Sequence, residues 1–359
     1  MKNLILKHSN LNQTNDTVCV YTPYEQRLET YLIPILFFII FIVGVIGNGV
    51  LVVIFIRHPT MRSIPNTYIF SLALADLLIL ITCVPFTSIV YTTETYPWGE
   101  AVCKISECVK DITVGVSVFT LTALSVERYC AIANPLRKLH TKSIAKFTVT
   151  LIWIVATAFA LPNLVFSGIR TRPKYDSIGR DNDTLQICYP FPEIENYEQY
   201  SIVIKFFIYY VIPLFILGYF YILMAIHLHT STKRMPGDVQ HTQGISQVRS
   251  RKHLARMVLV FVFLFFICFL PQQIFLLWFF LNPKSEEEYN EWWHALKMIG
   301  FCLSFLNSCV NPVALYCISG VFRAYFNRYL FCKGPTWSPQ ENSFATISFS
   351  ASSTMRKRI

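Results

Sequence analysis

The sequence predicts an all-α membrane protein: a seven-transmembrane helix bundle with a short amphipathic eighth helix on the inner leaflet. Three observations carry that prediction. Over 359 residues, 53% are hydrophobic and only 14% charged, with a mean hydropathy of +0.44, whereas a soluble chain has about a quarter of its residues charged. Seven stretches reach the roughly 20 apolar residues that a bilayer core requires. The basic residues gather on alternate connections between those stretches, as the positive-inside rule demands.

The stretches run near 32–56, 68–91, 103–133, 147–168, 202–228, 257–281 and 295–318. An odd number of spans puts the termini on opposite sides. With the amino terminus outside, 18 of the 31 Lys and Arg fall on the cytoplasmic connections and tail, and 15 of the 21 acids fall outside. The outer face then carries a net −7 and the inner face is strongly basic. The overall +10 is therefore a topology signal and implies no nucleic-acid partner. The sequons at Asn12, Asn15 and Asn182 all lie on the predicted outside, as glycosylation requires. MKNLILKHSN has too short an apolar run for a signal-peptide core, so the first long span is expected to direct insertion.

Four regions are predicted: an extracellular glycosylated segment over 1–30, the bundle over 31–319, an amphipathic membrane-surface helix over 320–332 and a Ser/Thr-rich tail over 333–359. In the third, apolar residues recur at 321, 322, 325, 326, 329 and 330 with Arg323 and Arg328 off the stripe. Cys332 at its end is either a palmitoylation site or a free cytosolic thiol. The polar 230–250 loop, with Pro and Gly, reads as flexible, and the tail as disordered.

Cys103 and Arg128 are 25 residues apart, so one continuous helix separates them by about 37 Å. If Arg128 lies at the inner surface, Cys103 lies at the outer one. Cys188 is the single cysteine in the long external loop over 169–200, in an oxidising compartment, so a Cys103–Cys188 disulfide is expected. Cys19 has no evident partner, and the remaining cysteines mostly occupy apolar stretches.

Polar residues deep in the spans raise a second question. Asn48, Asp76, Ser117, Asn307, Ser308 and Asn311 would serve helix–helix hydrogen bonding. A carboxylate with hydroxyls and amides also suits a hard cation, so Asp76, Ser117, Asn307 and Asn311 form a candidate sodium site. At the inner end of span three, Glu127 and Arg128 stand side by side before Tyr129; alone, the pair reads equally as a salt-bridged helix terminus.

The ordered motifs carry a resemblance. GN at 47–48, LALAD at 72–76, ERY at 127–129, Trp153, Pro213, FFICFLP at 265–271 and NPVALY at 311–316 each occur in the proper span. Over about 30–332 the chain resembles the rhodopsin-like G-protein-coupled receptors. RSRKHLARMVLVFVFLFFICFLPQQIF and FLNSCVNPVALYCISGVFRAYFNRYLFC resemble the bombesin-receptor branch and, within it, the insect CCHamide neuropeptide receptors. The resemblance implies a plasma-membrane receptor for a short amidated peptide, signalling through Gq and calcium, or through Gi or Gs for another peptide. It assigns signal transduction to Glu127, Arg128, Tyr129, Leu136, Tyr221, Phe265, Phe269, Asn311, Pro312 and Tyr316. It also implies a heterotrimeric G protein as partner, with arrestin and receptor kinases at the tail. Phe269 stands where the family usually has Trp, and Val118 where an Ile is common in the packing group with Pro213 and Phe265.

The outer ends of the spans offer Glu107, Lys110, Asp111, Lys205, Gln272, Gln273, Trp278 and Lys297 as ligand contacts, since charges at membrane depth point to a functional site. Glu107 and Lys110, spaced i,i+3, can equally satisfy each other. Lys110 takes the slot where amine receptors carry Asp, which argues against a monoamine, and Phe305 takes the slot of the retinal lysine in opsins. No cofactor beyond an allosteric sodium ion is expected. Enzyme chemistry is disfavoured, because an intramembrane Ser protease needs a Ser/His pair in the spans, the only histidine inside a long span is His227 near its cytoplasmic end, and no G-x-S-x-G occurs. A transporter would show inverted repeats, and none is visible.

Overall fold

A computed structural model describes residues 27–90, 93, 95–133, 141–173, 184–233 and 241–331. The helices are α1 (Glu29–Arg57), α2 (Ile64–Thr82), the short α3 (Val84–Ile89), α4 (Gly99–Ala133), α5 (Lys142–Phe166), α6 (Tyr197–Phe206), α7 (Ile212–Lys233), α8 (His241–Leu281), α9 (Glu291–Ile318) and α10 (Gly320–Phe331). Strands β1 (Gly168–Pro173) and β2 (Thr184–Tyr189) form an antiparallel hairpin between α5 and α6. Seven helical segments are long and apolar enough to cross a membrane, one of them the composite of α6 and α7. Their outward faces are apolar, with Phe38, Phe147 and Phe215 among the most exposed side chains, as lipid-facing surfaces require.

Three local features depart from the sequence reading, each with a physical reason. The second span ends at Thr82 instead of running to 91, and α3 starts afresh at Val84. Pro85 has no N–H to donate and its ring clashes with the carbonyl four residues back, so a helix cannot pass straight through it. The fifth span contains a π-helical segment over Phe207–Val211, just before Pro213. The proline removes the donor that would close the Tyr209 carbonyl, and a wider turn accommodates the mismatch. Finally, α8 starts at His241, inside the stretch read as a flexible loop. Gln, Arg, Lys, Leu and Ala dominate 247–256 and favour helix, outweighing the single Gly244.

The described residues up to Ala314 form one compact unit and those from Leu315 a second, a division that falls inside α9. In the first unit, small residues permit the closest helix approaches. A Cβ on Gly47 would lie 2.7 Å from the Pro312 ring, and one on Gly115 3.1 Å from the Ala156 methyl. Buried Phe37, Ile40, Leu80, Val109 and Phe305 join α1, α2, α4 and α9. Ala75, Val116, Ile152 and Ala156 join α2, α4 and α5. Without a strong hydrophobic drive between helices in lipid, such close packing and buried hydrogen bonds hold the bundle. The Asn48 amide donates to Ser308 O at 2.8 Å and the Trp153 indole to Ser71 Oγ at 3.0 Å. In the second unit, α10 buries Phe322 and Phe326 on one face, and Tyr316 bonds Asn327 Oδ1 at 3.1 Å.

Candidate functional site

The long helix α4 carries titratable groups at both ends, the amino-terminal end being the outer one and the carboxy-terminal end the inner one in the topology expected from the sequence. At its outer third, Lys110 pairs with the Glu107 carboxylate one turn earlier. The next residue, Asp111, faces elsewhere: its Oδ2 accepts from Lys205 Nζ of α6 at 2.6 Å and from Asn163 Nδ2 of α5 at 2.9 Å. Lys205 also donates to Asn163 Oδ1 at 3.1 Å, and Asn163 Nδ2 lies 3.3 Å from the Glu107 carbonyl. Asn163 thus holds three helices together, with both ends of its amide used. Sequence reasoning missed it, although a buried amide in an otherwise apolar stretch was a visible signal.

The other outer residues come from α8 and α9. These helices touch where a Cβ on Gly300 would meet Gln272 N at 2.6 Å and Gln272 Cα at 2.8 Å. Gln272 Oε1 is buried with no hydrogen-bond partner in the structure, and Gln273 is partly buried. Farther out, Trp278 stacks on Trp293, rings 3.8 Å apart and 6° from parallel. Lys297 is partly buried between those contacts.

A disulfide joins Cys103 to Cys188, Cα atoms 5.6 Å apart. It ties β2 to the outer end of α4, and Tyr96 N donating to Gln186 O at 2.8 Å holds the same strand. The loop read as merely long is therefore an ordered hairpin with Ile169 opposite Cys188. Arg170 stiffens it, its guanidinium 4.0 Å over the Tyr189 ring and donating to Phe191 O at 2.5 Å.

Near the bundle middle, Asp76 is 2% exposed and accepts from Asn311 Nδ2 at 2.7 Å. Ser117, Asn307 and Ser308 are also buried. Among the described residues no Lys, Arg or His contacts Asp76. A carboxylate buried in the bundle without a protein cation is costly, and here the neutral Asn311 amide meets it. Phe265 and Phe269 are both buried, ring centroids 4.6 Å apart.

At the inner end of α4, Arg128 is 8% exposed and its Nε donates to Glu127 Oε2 at 2.6 Å. Tyr129 lies against Phe220 of α7, centroids 5.4 Å apart. The Tyr221 hydroxyl is buried beside Ser125, whose own hydroxyl donates to Leu121 O at 2.9 Å, and among the described residues it has no hydrogen bond of good geometry. Pro312 packs on Gly47, which explains the small residue of the GN pair. Leu136, Cys332, Asn12, Asn15 and Asn182 lie outside the described residues.

Comparison with known proteins adds an independent observation. Residues 47–316 match the family described as 7 transmembrane receptor (rhodopsin family). The chain is 47% identical over 334 residues to the Neuropeptide CCHamide-1 receptor of Drosophila melanogaster, covering 90% of this chain and 65% of that relative. It is 37% identical over 305 residues to a bombesin receptor of Bombina orientalis, covering 84% and 76%. The chain therefore spans slightly less than two thirds of the first relative's length.

Proposed function

The chain belongs to the rhodopsin family of seven-transmembrane receptors, and from that premise we propose that it is a plasma-membrane receptor for a short amidated neuropeptide of the CCHamide type. Its amino terminus is outside, its carboxy terminus in the cytoplasm, and it signals through a Gq-class G protein and calcium. The observation that carries this reading is the single helix α4, unbroken from Gly99 to Ala133. It joins an outer ionic cluster at Glu107, Lys110 and Asp111 to a charged pair at Glu127 and Arg128, about 27 Å away. A pair closed between neighbours is a two-state element that a ligand at the far end can bias.

In this reading the peptide enters among Glu107, Lys110, Asp111, Lys205, Gln272, Gln273, Trp278 and Lys297. The orphaned Gln272 oxygen supports that placement, because a buried acceptor without a donor has a free-energy cost that a ligand N–H relieves. Release of Arg128 from Glu127 opens the inner face to the G protein, with Tyr221 lining that opening. The tail takes receptor kinases and arrestin, α10 lies on the inner leaflet, Cys332 is palmitoylated, and Asn12, Asn15 and Asn182 carry glycans.

The resident ion in this reading is sodium, held by Asp76 with Ser117, Asn307 and Asn311, and favouring the inactive state. Agonist affinity in sodium should fall several-fold relative to an organic cation at equal ionic strength, and Asp76→Asn should abolish the difference. Equal affinities for the unsubstituted chain in both salts refute the ion site. The central test is calcium mobilisation, with nucleotide exchange on purified G proteins, in response to synthetic CCHamide-1 and a panel of amidated peptides. Silence to all of them refutes the receptor assignment; exchange on Gi or Gs alone reassigns the coupling.

A further inference from the structure

Most of the buried and half-buried ionisable residues at the outer ends of the spans resolve into pairs. Glu107 is taken by Lys110 and Asp111 by Lys205. Glu29, at the start of α1, accepts from His294 Nε2 at 3.1 Å, and His294 Nδ1 is 3.1 Å from the Tyr289 hydroxyl. Lys297 is left over. It lies within the apolar part of α9, and among the described residues no ion pair, hydrogen bond or ring contact engages it; the carboxylate whose charge it feels is the more distant Glu29 of α1. The carboxylate positioned to neutralise it, Glu29, is held by His294 one turn away.

Its direction follows from its neighbours. Trp293, four residues before, stacks on Trp278 of α8; Gly300, three residues after, packs on the Gln272 backbone of α8. Residues three and four apart share one helix face, so Lys297 lies on the stripe of α9 flanked by Trp293 and Gly300, which meet α8, and by His294, which meets Glu29 of α1; the unpartnered Gln272 oxygen belongs to the α8 side of that stripe. A cation partly withdrawn from water and without a direct ion-pair partner is costly in the bundle interior.

We propose that Lys297 is the receptor's carboxylate-binding residue and that the activating peptide supplies its counter-ion. The inference rests on the peptide-receptor reading above. In an amidated peptide the carboxy terminus is blocked, so the carboxylate must be an Asp or Glu side chain. The ligand class is thereby narrowed to amidated peptides with an acidic residue, even though the net −7 of the outer face favours ligands that are neutral or cationic overall. Lys297 then selects for one negative group placed against a general preference for positive charge.

The test is calcium mobilisation in cells expressing the full chain at matched surface levels. The probes are synthetic CCHamide-1, the same peptide with every Asp and Glu replaced by Asn and Gln, and a panel of amidated peptides with and without acidic residues. On the unsubstituted receptor, removing the acid should lower potency on the order of 10- to 100-fold. Lys297→Met should lower the acidic peptide's potency by a similar factor and leave the amide analogue unaffected, while Lys297→Arg retains potency. Lys297→Glu should recover response to an analogue with Lys in place of the acid. Equal potency of acidic and amide analogues on the unsubstituted receptor, losses that multiply in the double change, or a full agonist free of Asp and Glu would each overturn the inference while leaving the receptor reading intact. Silence to the whole panel overturns that reading and this inference with it.

Discussion

The two ends of α4 hold charge in different ways. At the outer end, Asp111 is cross-linked to α5 and α6 through Asn163 and Lys205, so a buried charge is shared by three helices. At the inner end, Arg128 finds its partner in the adjacent residue of its own helix. Breaking the outer network disturbs helix packing; opening the inner pair requires only side-chain rotation. In the proposed receptor, the first arrangement holds position and the second changes state, so that the helix receives a ligand without deforming and still reports its presence.

Substitutions that separate those properties sharpen the contrast, and the largest effect belongs to the inner end. Arg128→Ala should abolish agonist-stimulated nucleotide exchange while peptide affinity stays within a few-fold, since no outer contact is touched. Undiminished exchange at matched surface expression would remove Arg128 from transduction. Next comes the Glu107–Lys110 pair. If Lys110 donates to the carbonyl of an amidated terminus, Lys110→Ala should reduce potency roughly 5- to 150-fold, the range expected for one unpaired buried polar group at about 1–3 kcal/mol. Its free-acid counterpart should lose much less. Equal losses for both peptide forms would leave Lys110 with only its Glu107 partner. The smallest effect should appear in stability. Asp111→Asn leaves Lys205 uncompensated and should destabilise the detergent-solubilised receptor by about 1–3 kcal/mol, below the range for a fully buried pair because both side chains keep some solvent contact. Adding Lys205→Met should recover part of that loss in a thermal-shift assay.

How much of this was legible in the sequence depends on whether a feature is local or tertiary. Apolar runs give span number and order, because a bilayer constrains length directly. The inner pair was legible for the same reason: Glu127 and Arg128 are neighbours in the chain. Cys103 and Cys188 were readable from topology, and the structure joins them. Asn163 was not, because nothing local distinguishes a bridging amide from one idling in an apolar helix. Its meaning depends on Asp111 and Lys205, 52 and 42 residues away. The hairpin at Gly168–Tyr189 escaped because its two short strands stabilise each other across a connection that periodicity does not register. The break at Cys83 was available from Pro85 and was overridden by hydropathy. Trp293 likewise gains its role only through Trp278, in the preceding span.

The π-helical turn at Phe207–Val211 has a bearing on the ionic cluster that Lys205 joins. A π turn contains one residue more than the α-helical path would use. Everything outward of it is rotated by about 100° and advanced by about 1.5 Å relative to an uninterrupted helix. Lys205 is outward of that turn, so its meeting with Asp111 depends on a count of backbone units as well as on the lysine itself. Losing one residue between 207 and 211 would swing an apolar neighbour into its place and leave Asp111 unanswered, with no pocket side chain altered. The outer face thus has a second coordinate, an angular phase set by chain length, through which its chemistry can be rewritten without a single substitution.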